Sequence, residues 1–151
     1  MGRERKVSTS RVISADRQAL FDLVADPRVH PLIDGSGTVT GARDGLPERL
    51  SLGARFGMDM KAGAPYRVTN TVVEFEEGEL IAWRHFSGHR WRYRFRDVNG
   101  GTEVTETFDW STARIKRAVE LAGFPERNLR AMEATLRRLD RLATTGSVEH
   151  R

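Results

Sequence analysis

The sequence predicts an α+β fold in which an antiparallel sheet packs against a long C-terminal helix. Between 55 and 111 the chain forms short segments of period-two or β-branched pattern, separated by turn residues that often include glycine. From 125 to 143, apolar residues recur at spacings of three and four, as on one face of a helix. Short connections require antiparallel strands, and the helix must bury its apolar stripe against them. The 151 residues fit one domain, 1–151.

The N-terminal part is predicted to contain one strand followed by two short helices. Residues 6–14 are rich in β-branched residues and indicate the strand. Asp16 is the expected N-cap of a helix that ends at about Ala25, and a second short helix lies near 28–32. One short strand is expected at 37–42, so that the sheet has six to seven strands.

The remaining strands are predicted at 55–61, 66–76, 79–87, 89–98 and 102–111. In the strand around 90–96, three aromatic residues (Trp91, Tyr93, Phe95) alternate with four arginines. The aromatics are expected to face inward. The arginines should form a solvated outer face that pairs with Glu103 and with carboxylates of other strands.

Two registers are compatible with the hairpin after Trp83. A three-residue loop would place Trp83 and His85 on the same face as the inward aromatics, whereas a two-residue loop would place Arg84 there. The first is favoured because burying tryptophan removes more apolar area from water than burying the alanine beside it.

After the last strand the pattern returns to helix. Residues 113–124 form a small amphipathic segment with Ile115, Ala118, Val119 and Ala122 on one stripe. This segment either gates a pocket or completes the core. The longer helix follows from Pro125, and Met132 lies on its apolar stripe.

Short motifs throughout the chain agree with one known family. They are the segments 12–15, 19–21, 25–31, 34–39, 57–60, 72–75, 81–84 and 101–105, together with the last amphipathic helix. Over about 6–143 the chain resembles the polyketide cyclase/dehydrase and lipid-transport family of the START-like, helix-grip (SRPBCC) superfamily. The resemblance implies a curved antiparallel sheet wrapped around a long C-terminal helix. Family members include carriers of hydrophobic ligands and aromatase/cyclase enzymes, so the fold alone does not define the function.

We expect a hollow between the sheet and this helix, because a helix of roughly 27 Å cannot cover the whole face of a strongly twisted sheet. The expected ligand-binding residues are Phe56, Met58, Met60, Trp83, His85, Trp91, Tyr93, Phe95, Glu106, Phe108, Trp110 and Met132. Their aromatic and thioether side chains suit flat or lipid-like ligands. The alternative is that they simply form the core.

Glu106 is the most informative candidate, because it shares strand parity with Phe108 and Trp110 and should point inward. Its ordinary role would be a solvated or salt-bridged glutamate at the open end of the sheet. The alternative is a buried carboxyl whose raised pKa suits acid/base chemistry, partnered by His85, Arg84 or Tyr93. Glu106, His85 and Tyr93 are therefore the candidate catalytic residues.

His30 and Asp34 are expected in a loop after the second helix, where they either hold the loop by local hydrogen bonds or contact a ligand. The chain has no cysteine, which excludes disulfides and thiol chemistry. His85 and His89 straddle a hairpin rather than one face of a helix, so no metal and no cofactor are expected.

The function predicted is binding or transport of a small hydrophobic ligand such as a lipid, polyketide or aromatic metabolite. The alternative is a polyketide cyclase, aromatase or dehydratase in the same cavity, and a remote third is a basic interaction module. Nucleic acid is not expected as a partner, although 22 of the 25 basic residues are arginine. We expect a cytoplasmic protein, a monomer or homodimer, with no transmembrane segment and with mobile tails at 1–5 and 145–151.

Overall fold

The structure is a computed structural model that describes residues 4–42, 46–85 and 87–146. The strands are β1 (Lys6–Ile13), β2 (Val39–Ala42), β3 (Arg55–Ala62), β4 (Ala64–Glu76), β5 (Leu80–Arg84), β6 (Arg90–Val98) and β7 (Gly101–Asp109). The helices are α1 (Arg17–Val24), α2 (His30–Ile33), α3 (Lys116–Leu121) and α4 (Phe124–Thr145). Of the expected tails, 1–3 and 147–151 lie outside the described residues.

All seven strands form one antiparallel sheet in the order β1-β7-β6-β5-β4-β3-β2. Consecutive strands from β2 to β7 are neighbours, whereas β1 crosses to the far edge and pairs with β7. Helix α4 packs against β1 and β7. The predicted fold class, a sheet gripping a long C-terminal helix with two short helices after the first strand, is confirmed.

Local chemistry accounts for the helix ends. The Asp16 carboxylate accepts a hydrogen bond of 3.1 Å from the Ala19 amide, so it is the N-cap predicted for α1. Helix α4 begins after Gly123, whose φ of 72° suits glycine, and carries Pro125 in its first turn.

The β5–β6 hairpin has the three-residue loop. Trp83 pairs with Trp91 and Ile81 pairs with Tyr93, which places these side chains on one face of the sheet, called the inner face below. The His85 amide donates to the His89 carbonyl at 3.2 Å and closes the loop. Phe86, within this loop, lies outside the described residues. Arg84 is exposed, so its expected role beside Glu106 is wrong.

The arginines of β6 lie on the outer face, where Arg90, Arg92 and Arg96 pair with carboxylates as predicted and Arg94 is exposed. Arg92 donates to Glu74 at 2.9 Å and to Asp109 at 3.2 Å, and Arg90 donates to Glu74 at 2.8 Å. These bonds tie β4, β6 and β7 together across the sheet and hold the pKa of Glu74 below its usual value. The paired arginines therefore stabilise the outer face of the sheet.

Gly35 brings the loop after α2 against the backbone of α4. Its amide donates to the Thr135 hydroxyl at 2.8 Å. A Cβ on residue 35 would lie 2.2 Å from the Ala131 carbonyl oxygen and 2.6 Å from Ala134 Cβ. Only a residue without a side chain fits here.

We expect Gly35→Ala to lower the free energy of unfolding by about 3 kcal/mol, since the loop must move away from the helix backbone. Gly41→Ala is the matched control, because its added Cβ would meet only Asp59 Oδ2 at 3.8 Å. Urea denaturation of both variants measures the difference. Equal stability of the two variants would contradict the close packing of this loop.

Candidate functional site

The apolar core of the inner face consists of two clusters that divide along β7. Val104, with Tyr93 and Phe95, belongs to the larger cluster, which also takes in α1. Phe108, with Trp110 and Met132, belongs to the smaller one. Glu106 lies between Val104 and Phe108 on the same face of β7. A carboxyl therefore interrupts the core where the two clusters meet.

Glu106 is almost fully removed from solvent, with 4% of its surface exposed. Its cross-strand neighbours are Tyr93 on β6 and Thr9 on β1. The Tyr93 hydroxyl donates a hydrogen bond to the Glu106 carboxyl. Within the described ranges, Glu106 Oε1 has no hydrogen-bond partner and the carboxyl makes no salt bridge. The solvated or salt-bridged glutamate expected as the ordinary outcome is therefore wrong.

Burial, with a smaller contribution from the Asp34 carboxylate, raises the pKa of Glu106 to about 8 against the lowering effect of the Tyr93 hydrogen bond. Burial and the Glu106 carboxyl also raise the pKa of Tyr93 well above its usual value. At neutral pH both side chains are thus mostly uncharged. A neutral carboxyl can donate one hydrogen bond and accept others.

His85 does not join Glu106 but stacks on His89, with ring centroids 5.1 Å apart and an interplanar angle of 14°. The His89 ring lies edge-on to Phe108 at 5.2 Å, and its Nδ1 is 2.6 Å from the Ser87 hydroxyl. Burial lowers the pKa of His89 to about 4, helped by the neighbouring His85. Both rings therefore act as neutral aromatic surface at the end of the smaller cluster.

His30 and Asp34 hold local structure, as the simpler prediction expected. His30 begins α2 rather than following it, and its Nε2 is 2.8 Å from the Val24 carbonyl oxygen. Its ring stacks on Trp83 at 4.7 Å, inside the core. Asp34 accepts hydrogen bonds from the amides of Ser36 and Val39, which shapes the loop. Of these two residues, Asp34 alone affects the pKa of Glu106, which its negative charge raises.

The side chains expected to surround a hollow are packed on one another. Trp83 contacts Phe56 and Tyr93 at centroid distances of 5.5 Å, and Trp91 contacts Phe108 at 4.9 Å. Of the twelve expected residues, Met60, His85 and Trp91 are half-buried and the others are buried. In this conformation the described part of the wall is core.

Two clefts among the described residues include residues of the predicted site or their neighbours. The smaller, of about 120 Å³, lies between β1 and α4. Its lining includes Thr9, the cross-strand neighbour of Glu106, together with Leu136 and Arg137 of α4. The larger, of about 690 Å³, is an open depression at the tip of the β3–β4 hairpin, and its lining includes Met60 and Tyr66.

Sequence reasoning missed Thr9 and Asp34 as neighbours of Glu106. The alternation in β1 places Thr9 on the face of Ile13, but only the pairing of β1 with β7 brings it to Glu106. Asp34 approaches from a loop whose path no local pattern predicts. Neither residue carries a sequence signal of this proximity.

Across the described residues, no group of three or more histidines and carboxylates lies close enough together to bind a metal ion. Among the helices of the same residues, none combines the length and apolar character needed to cross a bilayer.

Residues 4–144 match the family described as polyketide cyclase/dehydrase and lipid transport. The chain belongs to this family. It is also 43% identical over 140 residues to the uncharacterized protein Rv0088 of Mycobacterium tuberculosis. That match covers 89% of this chain but 62% of Rv0088, so the chain spans less than two thirds of its relative's length.

Solved structures of low identity share the fold. An AHSA1-like protein from Aeromonas hydrophila is 24% identical with a TM-score of 0.65, covering 97% of this chain and 96% of that one. Protein Ms6760 from Mycobacterium smegmatis is 18% identical with a TM-score of 0.68, covering 95% and 93%. The Aha1 dimer from Colwellia psychrerythraea is 10% identical with a TM-score of 0.63, covering 94% and 98%. At these identities the likeness concerns the fold alone.

Glu106→Gln is expected to change how stability depends on pH. The folded pKa of about 8 lies above the ordinary value of 4.5, so between these values the unfolded chain loses a proton that the folded chain keeps. The contribution of Glu106 to stability therefore falls as the pH rises across this window, by at most about 1.4 kcal/mol per pH unit. This loss is absent in Glu106→Gln.

Urea unfolding of the wild type and the variant at several pH values between these limits measures the difference. Glu103→Gln, on the same strand but the opposite face, is the control and should follow the wild type. Parallel pH profiles for the wild type and Glu106→Gln would show that the carboxyl is ionised in the folded protein.

Proposed function

We propose that this chain binds a small, largely apolar molecule on the inner face of its sheet, with the Glu106–Tyr93 pair engaging one polar group of that molecule. The observation that carries this proposal is the unpartnered Oε1 of a buried carboxyl at the junction of two apolar clusters. The membership of a family that includes lipid transport in its description supports it.

The unpartnered oxygen argues for a ligand on energetic grounds. Leaving a buried polar group without a hydrogen bond costs about 1–3 kcal/mol. A ligand hydroxyl or carbonyl at Oε1 would remove this cost, because a neutral carboxyl can donate or accept. A neutral polar group fits better than an anion, since the Asp34 carboxylate acts on the same place.

The surroundings of the pair suit an apolar ligand body. Val104 and Phe108 flank Glu106 on β7, and Met132 belongs to the smaller cluster from α4. A flat hydrocarbon body would lie between the two clusters, against which Trp91 now packs on both sides. Binding therefore requires the clusters to separate, and the cleft between β1 and α4 supplies a path from solvent to Thr9, next to Glu106.

We expect the protein to bind 2-naphthol more tightly than naphthalene, because the two differ by the hydroxyl that Glu106 would bond. Glu106→Leu should weaken 2-naphthol binding by about tenfold, the worth of one such hydrogen bond, and leave naphthalene binding unchanged. Glu106→Gln should retain most of the affinity, because an amide also donates and accepts. Calorimetric titration of the wild type and of both Glu106 variants with each probe measures these affinities.

Glu103→Leu is the control for replacing a carboxylate on β7 without touching the inner face. The fluorescence of Trp83 and Trp91 should also change on binding, since both indoles lie on that face. Equal affinity for the two probes, or no binding of either, would refute the proposed role of Glu106.

Acid/base catalysis is a second candidate, favoured by one observation. A carboxyl with a pKa of about 8, hydrogen-bonded to a tyrosine in a water-poor site, is suited to take and return a proton near neutral pH. Enolisation of a polyketide-like substrate requires this transfer. Glu106 would be the base, and the Tyr93 hydroxyl would hold its carboxyl in place.

The catalytic candidate predicts that the wild type accelerates hydrogen–deuterium exchange at the acidic carbon of benzoylacetone, followed by NMR. Glu106→Gln should abolish this acceleration while benzoylacetone still binds, because an amide cannot accept the proton. Binding without any acceleration by the wild type would leave the carrier function and exclude proton transfer to this class of substrate.

A further inference from the structure

The segment from Arg114 to Arg130 presents large apolar side chains to solvent. Ile115 is 68% exposed, Leu121 is 87% exposed and Phe124 is 38% exposed. The sequence pattern placed Ile115, Ala118, Val119 and Ala122 on one stripe of a segment that either gates a pocket or completes the core. The structure buries Val119 of that stripe and leaves the other three residues exposed.

These side chains are exposed because α3 has only six residues and buries one of them, Val119. Val119 anchors the helix in the smaller cluster beside Trp110. Leu121 lies two positions later, about 200° around the helix axis, and so points away from the core. Gly123, with a φ of 72°, then turns the chain into α4 and leaves Phe124 at the surface. The exposed apolar residues thus lie within ten consecutive positions.

Arginines surround these residues. Arg114, Arg117, Arg127 and Arg130 are all exposed, and none makes a salt bridge with a carboxylate of residues 4–42, 46–85 or 87–146. The Arg127 guanidinium instead lies over the Phe124 ring at 4.8 Å.

Of the two carboxylates in this segment, Glu120 and Glu126, only Glu126 is exposed, so the exposed charge of the segment remains positive. Glu120 is directed inward, where it accepts hydrogen bonds from Arg5 at 3.0 Å and from the Trp110 indole at 2.8 Å. The contrast with the outer face of the sheet is clear, because Arg90 and Arg92 there share Glu74.

We propose that Ile115, Leu121 and Phe124, with the arginines at 114, 117, 127 and 130, form a docking surface for an anionic lipid bilayer, called the α3 surface below. Exposed aliphatic and aromatic side chains enter the headgroup region, and unpaired arginines beside them meet lipid phosphates. Both components lie within residues 114–130, which include α3, the turn at Gly123 and the first two turns of α4.

A second copy of the chain fits this surface less well. A two-fold contact through α3 would bring the four exposed arginines of each copy together with only Glu126 of each copy exposed to pair them, and like charges at an interface are unfavourable. A bilayer offers apolar depth and negative charge together. This inference concerns the outer surface and does not rest on the ligand proposed for the inner face.

Flotation of the full chain with vesicles tests the proposal. The chain should bind vesicles made of an equal mixture of phosphatidylcholine and phosphatidylglycerol. It should bind far less to vesicles of phosphatidylcholine alone. Added salt should weaken the binding. Leu121→Glu should reduce the partition coefficient by about tenfold, and Arg117→Glu by at least about fivefold, the contribution of one cation near an anionic surface.

Matched controls distinguish binding through the α3 surface from nonspecific effects of surface charge and hydrophobicity. Leu52 is 65% exposed outside this segment, and Arg94 is exposed on the outer face of the sheet. Leu52→Glu and Arg94→Glu make the same chemical changes elsewhere and should bind as the wild type does. All four positions are exposed, so thermal unfolding should show folded proteins of similar stability.

Absence of binding to the anionic vesicles would overturn the proposal, as would equal losses in the test and control variants. A dimer in light scattering that Leu121→Glu dissociates, without vesicle binding by the wild type, would assign the α3 surface to self-association instead.

Discussion

The pairing of β1 with β7 is the contact on which the rest of the structure depends. It closes β7 between two strands, and it provides the surface on which α4 packs. Glu106 is consequently flanked by Thr9 on one side and Tyr93 on the other. At the open edge of a sheet the same carboxyl would be hydrated and ionised. Inside the sheet, under a helix, its pKa rises to about 8.

This burial links the stability of the fold to the function that we propose. An unpartnered carboxyl oxygen in the core destabilises the folded state, and the surrounding apolar contacts offset that cost. The carboxyl interrupts the core where its two clusters meet, and the ligand that we propose would enter at this place. Ligand binding and proton transfer would both draw on this feature. Val119 anchors helix α3 in the smaller cluster, while the residues of the α3 surface face solvent.

Much of the fold was predictable because the local patterns are strong. Alternation in β3 and β6, glycine-containing turns and the Asp16 cap determine strands and helix ends through short-range geometry. The hairpin register followed from the area that Trp83 buries. The inward role of Arg84 was wrong, and the side chains expected to line a hollow pack on one another. Both outcomes depend on how distant elements meet. Apolar spacing shows that residues share a face, but it does not show what covers that face.

The sequence alone determined the α+β class, the inward direction of Glu106 and the basic outer stripe, because these follow from the period of each strand and the order of the elements. The tertiary structure decided that Glu106 lacks a charged partner in the described chain, that Tyr93 and not His85 bonds to it, and that the inner wall packs closed. These outcomes depend on contacts between residues far apart in the chain, such as Thr9 with Glu106 and Gly35 with α4. The geometry of these contacts is set when β1 pairs with β7 and α4 packs against both strands. No local sequence pattern predicts which residues this pairing brings together.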